Sequence, residues 1–158
     1  NTNPYDAQSH GSHVASSIAE STNNSIGGVG VAFKAKILPV KVLSDQGSGS
    51  TAGIAEGIRW AVDHGANIIN MSLGGGSHGI QDLLTIAVDN LDQANMVVAV
   101  ASGNSGPGNF TVESPGMAAR ALTAGMSVTA EIKTGRRRII EFLLSPIARR
   151  VEEAGRER

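Results

Sequence analysis

Two continuous apolar runs, Asn67-Ile-Ile-Asn-Met-Ser-Leu73 and Met96-Val-Val-Ala-Val-Ala101, constrain the fold of this chain more than any other feature. Neither alternates apolar and polar residues as a strand with one wet face does. Each stops at a glycine-rich stretch, Gly74-Gly75-Gly76 and Gly103 to Gly108, and the residues between them predict a helix from about Ile80 to Leu91. Strand, helix, strand with uninterrupted apolar strands predicts an α/β fold: a partial doubly wound, mainly parallel sheet buried on both faces. Sites in such sheets form just beyond the carboxyl ends of the strands, where the glycine-rich turns fall.

The remaining elements fit around this unit. Ser9 to Ala19 predicts a small-residue helix with Ser9 as cap and Val14 and Ile18 on one face. The Asn/Gly-rich residues Ser21 to Gly30 read as loop. Lys36-Ile-Leu-Pro-Val-Lys-Val-Leu43 is rich in strand formers, although Pro39 argues against a fully laddered central position. Ser50 or Thr51 can cap a helix with apolar positions Ile54, Ile58, Ala61 and Val62, stopped at Gly65. In the tail, Ser127 to Lys133 alternates with period two, Thr134-Gly135 reads as a turn, and Arg137 to Leu144 is a second strand-like run, which predicts a β-hairpin. Ser145-Pro146 then opens a charged helix.

Composition narrows the chemistry. There is no Cys, so disulfides, Cys-ligated zinc and a thiol nucleophile are excluded. No apolar run reaches the roughly 18 residues that cross a membrane, and no membrane span is expected. The opening Asn1-Thr-Asn-Pro-Tyr5 has neither the basic nor the apolar region of a signal peptide and, without Met, is not expected to be a natural start. Residues up to Leu122 hold five Lys/Arg against nine Asp/Glu and 17 of the 20 glycines; those after it hold eight against five and three glycines. So abrupt a change suggests two segments of different origin. The basic Arg136-Arg-Arg138 lacks interleaved aromatics, so no nucleic-acid partner is expected.

His10-Gly-Ser-His-Val-Ala15 carries the first chemistry. From the residues alone it is a surface His pair, an H-x-x-H metal half-site or a catalytic base. It resembles the His-Gly-Thr-His-Val-Ala motif of subtilisin-like serine proteases, in which the first His is the general base. A base with near-neutral pKa takes the serine proton and returns it to the leaving amine. Further segments resemble the family in order: Asn23-Asn-Ser-Ile-Gly27 with Gly30-Val-Ala32, Gly47-Ser-Gly49, Ser72-Leu-Gly-Gly75 and Ala101-Ser-Gly-Asn-Ser-Gly-Pro107. Asn104 by itself could equally be a turn residue tolerating a left-handed conformation.

The resemblance implies a Rossmann-like three-layer fold over residues 1 to about 124, with His10 as base and Asn104 as side-chain donor to the tetrahedral intermediate. It implies Gly47, Ser48, Gly49, Ser72, Leu73 and Gly74 as extended segments clamping a peptide substrate. It further implies a structural Ca2+ held by the carbonyls of Thr22, Ile26 and Gly28 and the amide of Asn24, no cofactor for the chemistry, and a secreted protein. The family's Asp-Ser/Thr-Gly and Gly-Thr-Ser-Met-Ala motifs do not occur in this sequence. Neither the catalytic aspartate nor the nucleophilic serine is therefore assigned, and Asp6 is considered only for its closeness to His10. Catalysis by this chain alone is not expected.

Ser114-Pro-Gly-Met-Ala-Ala-Arg-Ala-Leu-Thr123 resembles the family's next strand. From Ala124-Gly-Met-Ser-Val-Thr-Ala-Glu-Ile-Lys-Thr-Gly135, through Ile139 to Pro146 and Gly155-Arg-Glu-Arg158, the chain resembles the C-terminus of haemolysin-D-type membrane fusion proteins. That likeness implies a periplasmic adaptor of type I secretion with a secretion-system partner, and places the join at Ala124-Gly125-Met126. A hybrid with no evolved function is the third reading.

Overall fold

The computed structural model describes residues 3–78, 81–124, 133–134 and 137–138. The chain divides into two compact units, Asn1–Met126 and Ser127–Arg158.

In the first unit the order of elements is α1 (His10–Ala19), α2 (Thr51–Asp63), β1 (Ile68–Met71), β2 (Gly75–His78), α3 (Leu83–Leu91), β3 (Val97–Ala101), β4 (Glu113–Ser114) and β5 (Leu122–Ala124), with a single 3-10 turn over Asp92–Ala94. Strands β1, β3 and β5 form a parallel sheet in that order, registered Ile68 on Val97 and Ala99 on Leu122. The α/β, mainly parallel architecture expected from the two apolar runs is present. An antiparallel pair, β2 with β4, stands beside it, Gly75 opposite Ser114 and His78 opposite Glu113. The sequence placed a plain turn at Gly74 to Gly76; two of those residues instead begin a strand.

α2 forms where its cap signal lies. The Ser50 hydroxyl accepts the Gly53 N–H at 3.1 Å. Gly65, at φ +80°, takes the left-handed conformation that ends the helix. α3 starts at Leu83, later than the apolar pattern suggests, because Asp82 caps it. The Asp82 carboxylate accepts the Leu84 and Thr85 N–H groups, and the Thr85 hydroxyl oxygen accepts the Asp82 N–H, a complete capping box.

α2 and α3 pack against one face of the sheet. Their Ile54, Ile58, Ala61, Leu84, Val88 and Leu91 are buried together with Ile69, Met71, Val98 and Val100 from the strands. Burial on both faces is not observed among the described residues. Burial alternates along β1 and β3, leaving Ile68 65% and Val97 48% exposed. No residue of α1 is buried.

Two further expectations are corrected. Residues 36–43 do not form a strand. Pro39 offers no N–H, and strand preference takes effect only beside a neighbour that pairs with it. The segment instead leans on α2, where a Cβ on Gly57 would meet Val42 Cγ1 at 2.3 Å and Val40 Cγ1 at 3.3 Å. The strand expected within Ser114 to Thr123 is split into β4 and β5. The intervening turn is tied down by the Thr123 hydroxyl donating to the Gly116 carbonyl at 2.8 Å.

In the second unit, β6 (Lys133–Thr134) pairs antiparallel with β7 (Arg137–Arg138), Thr134 opposite Arg137. This agrees with a hairpin there; the rest of the expected hairpin and the terminal helix lie outside the described residues. No helix among the described residues is long and apolar enough to cross a membrane.

Candidate active site

His10 opens α1 and is exposed. The expected Ser9 cap does not form: Ser9 sits at φ 71° and its side chain caps nothing. Asp6 takes its place. One carboxylate oxygen accepts the Gln8 and Ser9 N–H groups at 3.0 and 2.9 Å; the other accepts the Ser12 N–H and hydroxyl at 2.7 and 2.9 Å. An anion is favoured at a helix N-terminus, and a carboxylate accepting several donors outcompetes a serine hydroxyl. The Ser12 backbone N–H, then its hydroxyl, and the Gln8 and Ser9 N–H groups hold the Asp6 carboxyl below the ordinary Asp range. Its acceptor capacity goes to the backbone and to Ser12, not to the His10 ring, so the structure gives it a capping role.

Gln8 connects this end of α1 to the turn at Gly47. Its Oε1 accepts the His10 N–H at 3.3 Å, and a Cβ on Gly47 would stand 3.5 Å from its Nε2. Gly47 lies at φ +79° in a tight turn: its N–H donates to the Ser44 carbonyl, and the Ser44 N–H donates to the Ser48 carbonyl. Gly49 follows, packed so closely on the Val42 carbonyl that a Cβ would meet that oxygen at 2.6 Å.

The second cluster forms at the carboxyl end of the sheet. β1 and β3 are parallel, so Ser72-Leu73-Gly74 and the loop from Ser102 leave the sheet on the same side. Glu113 joins them. Its N–H donates to the Ser102 carbonyl at 2.9 Å, and its Oε1 accepts the Ser105 hydroxyl and the Asn104 N–H, the latter at 3.4 Å. Gly103, at φ +99°, has no room for a side chain, since a Cβ would lie 2.5 Å from Glu113 Cδ. A Cβ on Gly74 would lie 3.5 Å from Glu113 Oε2. The Asn104 carboxamide is exposed and makes no hydrogen bond among the described residues. Next to Glu113, the buried Ser114 hydroxyl has no hydrogen-bond partner among the described residues. Glu113 is the residue the sequence reading missed. Nothing in its local pattern separates it from an ordinary surface Glu.

In the loop assigned to Ca2+, two candidate oxygens are taken up by backbone donors. Asn24 Oδ1 accepts the Ile26 N–H at 3.1 Å, and the neighbouring Glu20 carboxylate accepts the Gly28 N–H at 3.3 Å. Calcium takes about six to eight oxygens. Thr22, Asn24, Ile26 and Gly28 supply four, and six only if both Glu20 oxygens join them; because Asn24 Oδ1 and Glu20 Oε1 already accept backbone N–H groups, the residues present do not fit a closed calcium site. Among the described residues no group of three His, Cys, Asp or Glu side chains is placed to hold a metal ion, which also disfavours a His10/His13 metal site.

The mainly parallel α/β sheet, with its glycine-rich loops gathered at the strands' carboxyl ends, has a subtilisin-like fold. The chain belongs to the subtilase family, whose model matches residues 1–140. It is 41% identical over 136 residues to the serine protease AprX of Bacillus subtilis (strain 168), covering 78% of this chain and 31% of that protein. Subtilisin E from the same organism is 49% identical over 111 residues, covering 70% and 28%. A crystal structure of a cold adapted subtilisin-like serine proteinase superposes with a TM-score of 0.67 at 33% identity, over 78% of this chain and 42% of that one. The chain thus spans about a third of the length of these curated relatives. The family match also runs past Thr123, where the sequence reading ended it.

Proposed function

We propose that this chain is a segment of the catalytic domain of a subtilisin-like serine endopeptidase, with His10 as general base and Asn104 as oxyanion donor. One observation carries the reading: the loops after β1 and β3 meet on Glu113 at the carboxyl end of the sheet and leave the Asn104 carboxamide free to face a substrate. The His10 imidazole would take the proton of an attacking serine and pass it to the leaving amine. The carboxamide would donate to the oxyanion that develops on the scissile carbonyl, an interaction worth ~10²–10³ in turnover in subtilisin, the enzyme in which the effect was defined. Residues 47–49 and 72–74 would receive the substrate through its backbone, which suits recognition of peptides regardless of side chain. The chemistry needs no cofactor. A calcium role for Thr22, Asn24, Ile26 and Gly28 would require oxygens from beyond their loop. We place the activity outside the cell on the strength of the family relationship.

Alone, the 158-residue chain is inactive on this reading. Its sequence contains neither serine nor aspartate motif, and loss of the serine costs ~10⁶ in turnover in subtilisin, again the defining case. The test is fluorophosphonate labelling together with a casein assay. Neither label nor hydrolysis is expected; specific labelling of a serine in this chain would overturn the claim of incompetence.

A second reading assigns the tail to a secretion adaptor, or the whole to a hybrid. The division into units at Met126 and Ser127, beside the join expected at residues 124–126, favours a separate tail. Capture of an inner-membrane secretion ATPase by the full chain, lost on deletion of residues 123–158, would support the adaptor. Retained capture after that deletion would eliminate it. Cooperative unfolding of the whole chain would count against a hybrid of mismatched halves.

A further inference from the structure

An oxyanion donor works only if it is held in place before the reaction begins, yet Asn104 sits in an exposed stretch interrupted by Gly103, Gly106 and Gly108. Such a loop has little conformational preference of its own. Its restraint comes from Glu113, whose backbone is fixed in three ways. The Glu113 N–H is bonded to the Ser102 carbonyl, Glu113 and Ser114 pair with β2, and the following Ser114, Pro115 and Gly116 are buried. From that base the side chain reaches across Gly103 to accept the Ser105 hydroxyl and the Asn104 N–H. Gly103 admits this crossing because it has no Cβ. A Cβ on Gly74 would lie 3.5 Å from Oε2 of the same side chain, so one carboxylate borders both loops at the end of the sheet.

We propose that Glu113 is a positioning residue that sets the direction of Asn104 and couples the loop after β3 to the segment Ser72–Gly74. The inference rests on the reading of Asn104 as oxyanion donor for its functional meaning. The mechanical claim can be tested without catalysis.

The test is heteronuclear NMR of the full 158-residue chain carrying Glu113→Ala, Glu113→Gln or Ser105→Ala. In Glu113→Ala the backbone amide of Asn104 exchanges roughly fivefold faster, the change expected for loss of one ordinary hydrogen bond. The Asn104 carboxamide and Gly74 signals shift with it, while amides of α2 and α3 exchange as in the parent. Glu113→Gln keeps an acceptor oxygen and restores the parent Asn104 signals. Ser105→Ala leaves Glu113 in place and moves the Asn104 signals by less than Glu113→Ala; if Glu113→Ala does not fold, this variant and Glu113→Gln decide the matter. Unchanged Asn104 signals in Glu113→Ala, equal perturbation by Ala and Gln, or faster exchange spread evenly over α2 and α3 would each overturn the proposal. Labelling of a serine by fluorophosphonate would instead overturn the account of this chain's activity and leave Glu113's role standing.

Discussion

The two faces of the β1-β3-β5 sheet are written in the same residues and treated differently. On one, Ile69, Met71, Val98 and Val100 are buried under α2 and α3. On the other, Ile68, Val97 and Leu122 are 65%, 48% and 42% exposed, and the register sets Ile68 beside Val97 and Ala99 beside Leu122, so they form one apolar stripe. An apolar run therefore reports how many faces a strand is suited to bury, not how many this chain covers. The strand type was legible for that reason, while the cover on the second face is not seen among the described residues.

The sharpest way to test the contrast is to truncate neighbours that point to opposite faces. Ile69→Ala should lower stability by about 2–5 kcal/mol in urea unfolding, because it opens a cavity beneath the helices. Ser114→Ala should act in the opposite direction, raising the free energy of unfolding in urea by about 1 kcal/mol, since it removes a buried hydroxyl that has no partner among the described residues. Asp82→Ala loosens the covering layer itself; loss of the α3 cap should cost about 0.5–2 kcal/mol in the same assay.

The Asp6 cap tests the part of the molecule that has no buried residue. Its carboxyl is held low in the folded chain, so its contribution is complete above the ordinary Asp value of about 3.9 and disappears as pH falls through the lower folded value. Acid should therefore fray residues 10–19 in an NMR titration before the α2 and α3 signals change, and Asp6→Asn should fray them at neutral pH. Ile68→Ala comes last, with an expected change within about 0.5 kcal/mol. A loss as large as that of Ile69→Ala would mean the exposed face is covered in solution.

Much of the framework was legible because it rests on local chemistry. Ser50 before Ile54 and Ile58, Gly65 after them, and the apolar run at Met96 to Ala101 each state their structure within a few residues. Competition between local signals was harder to read: Ser9 is a good capping residue, but the Asp6 carboxylate lies within reach of the same N–H groups. Long-range placement left no trace. Residues 36–43 have strand chemistry but rest on Gly57, and Glu113 acquires its role only when β1 and β3 bring Gly74 and Gly103 to it. His10 and Asn104 were singled out only by likeness to a family; the contacts around them were not legible.

The missing side chain at Gly57 has a mechanical consequence. Because Val40 and Val42 settle into the notch it leaves in α2, the strap that runs on to Gly47 and Gly49 is keyed to the helix like a pawl in a ratchet tooth. A single methyl group there would disengage the key and transmit its displacement along the strap to the Gly47 turn several residues away, without altering any residue of that turn.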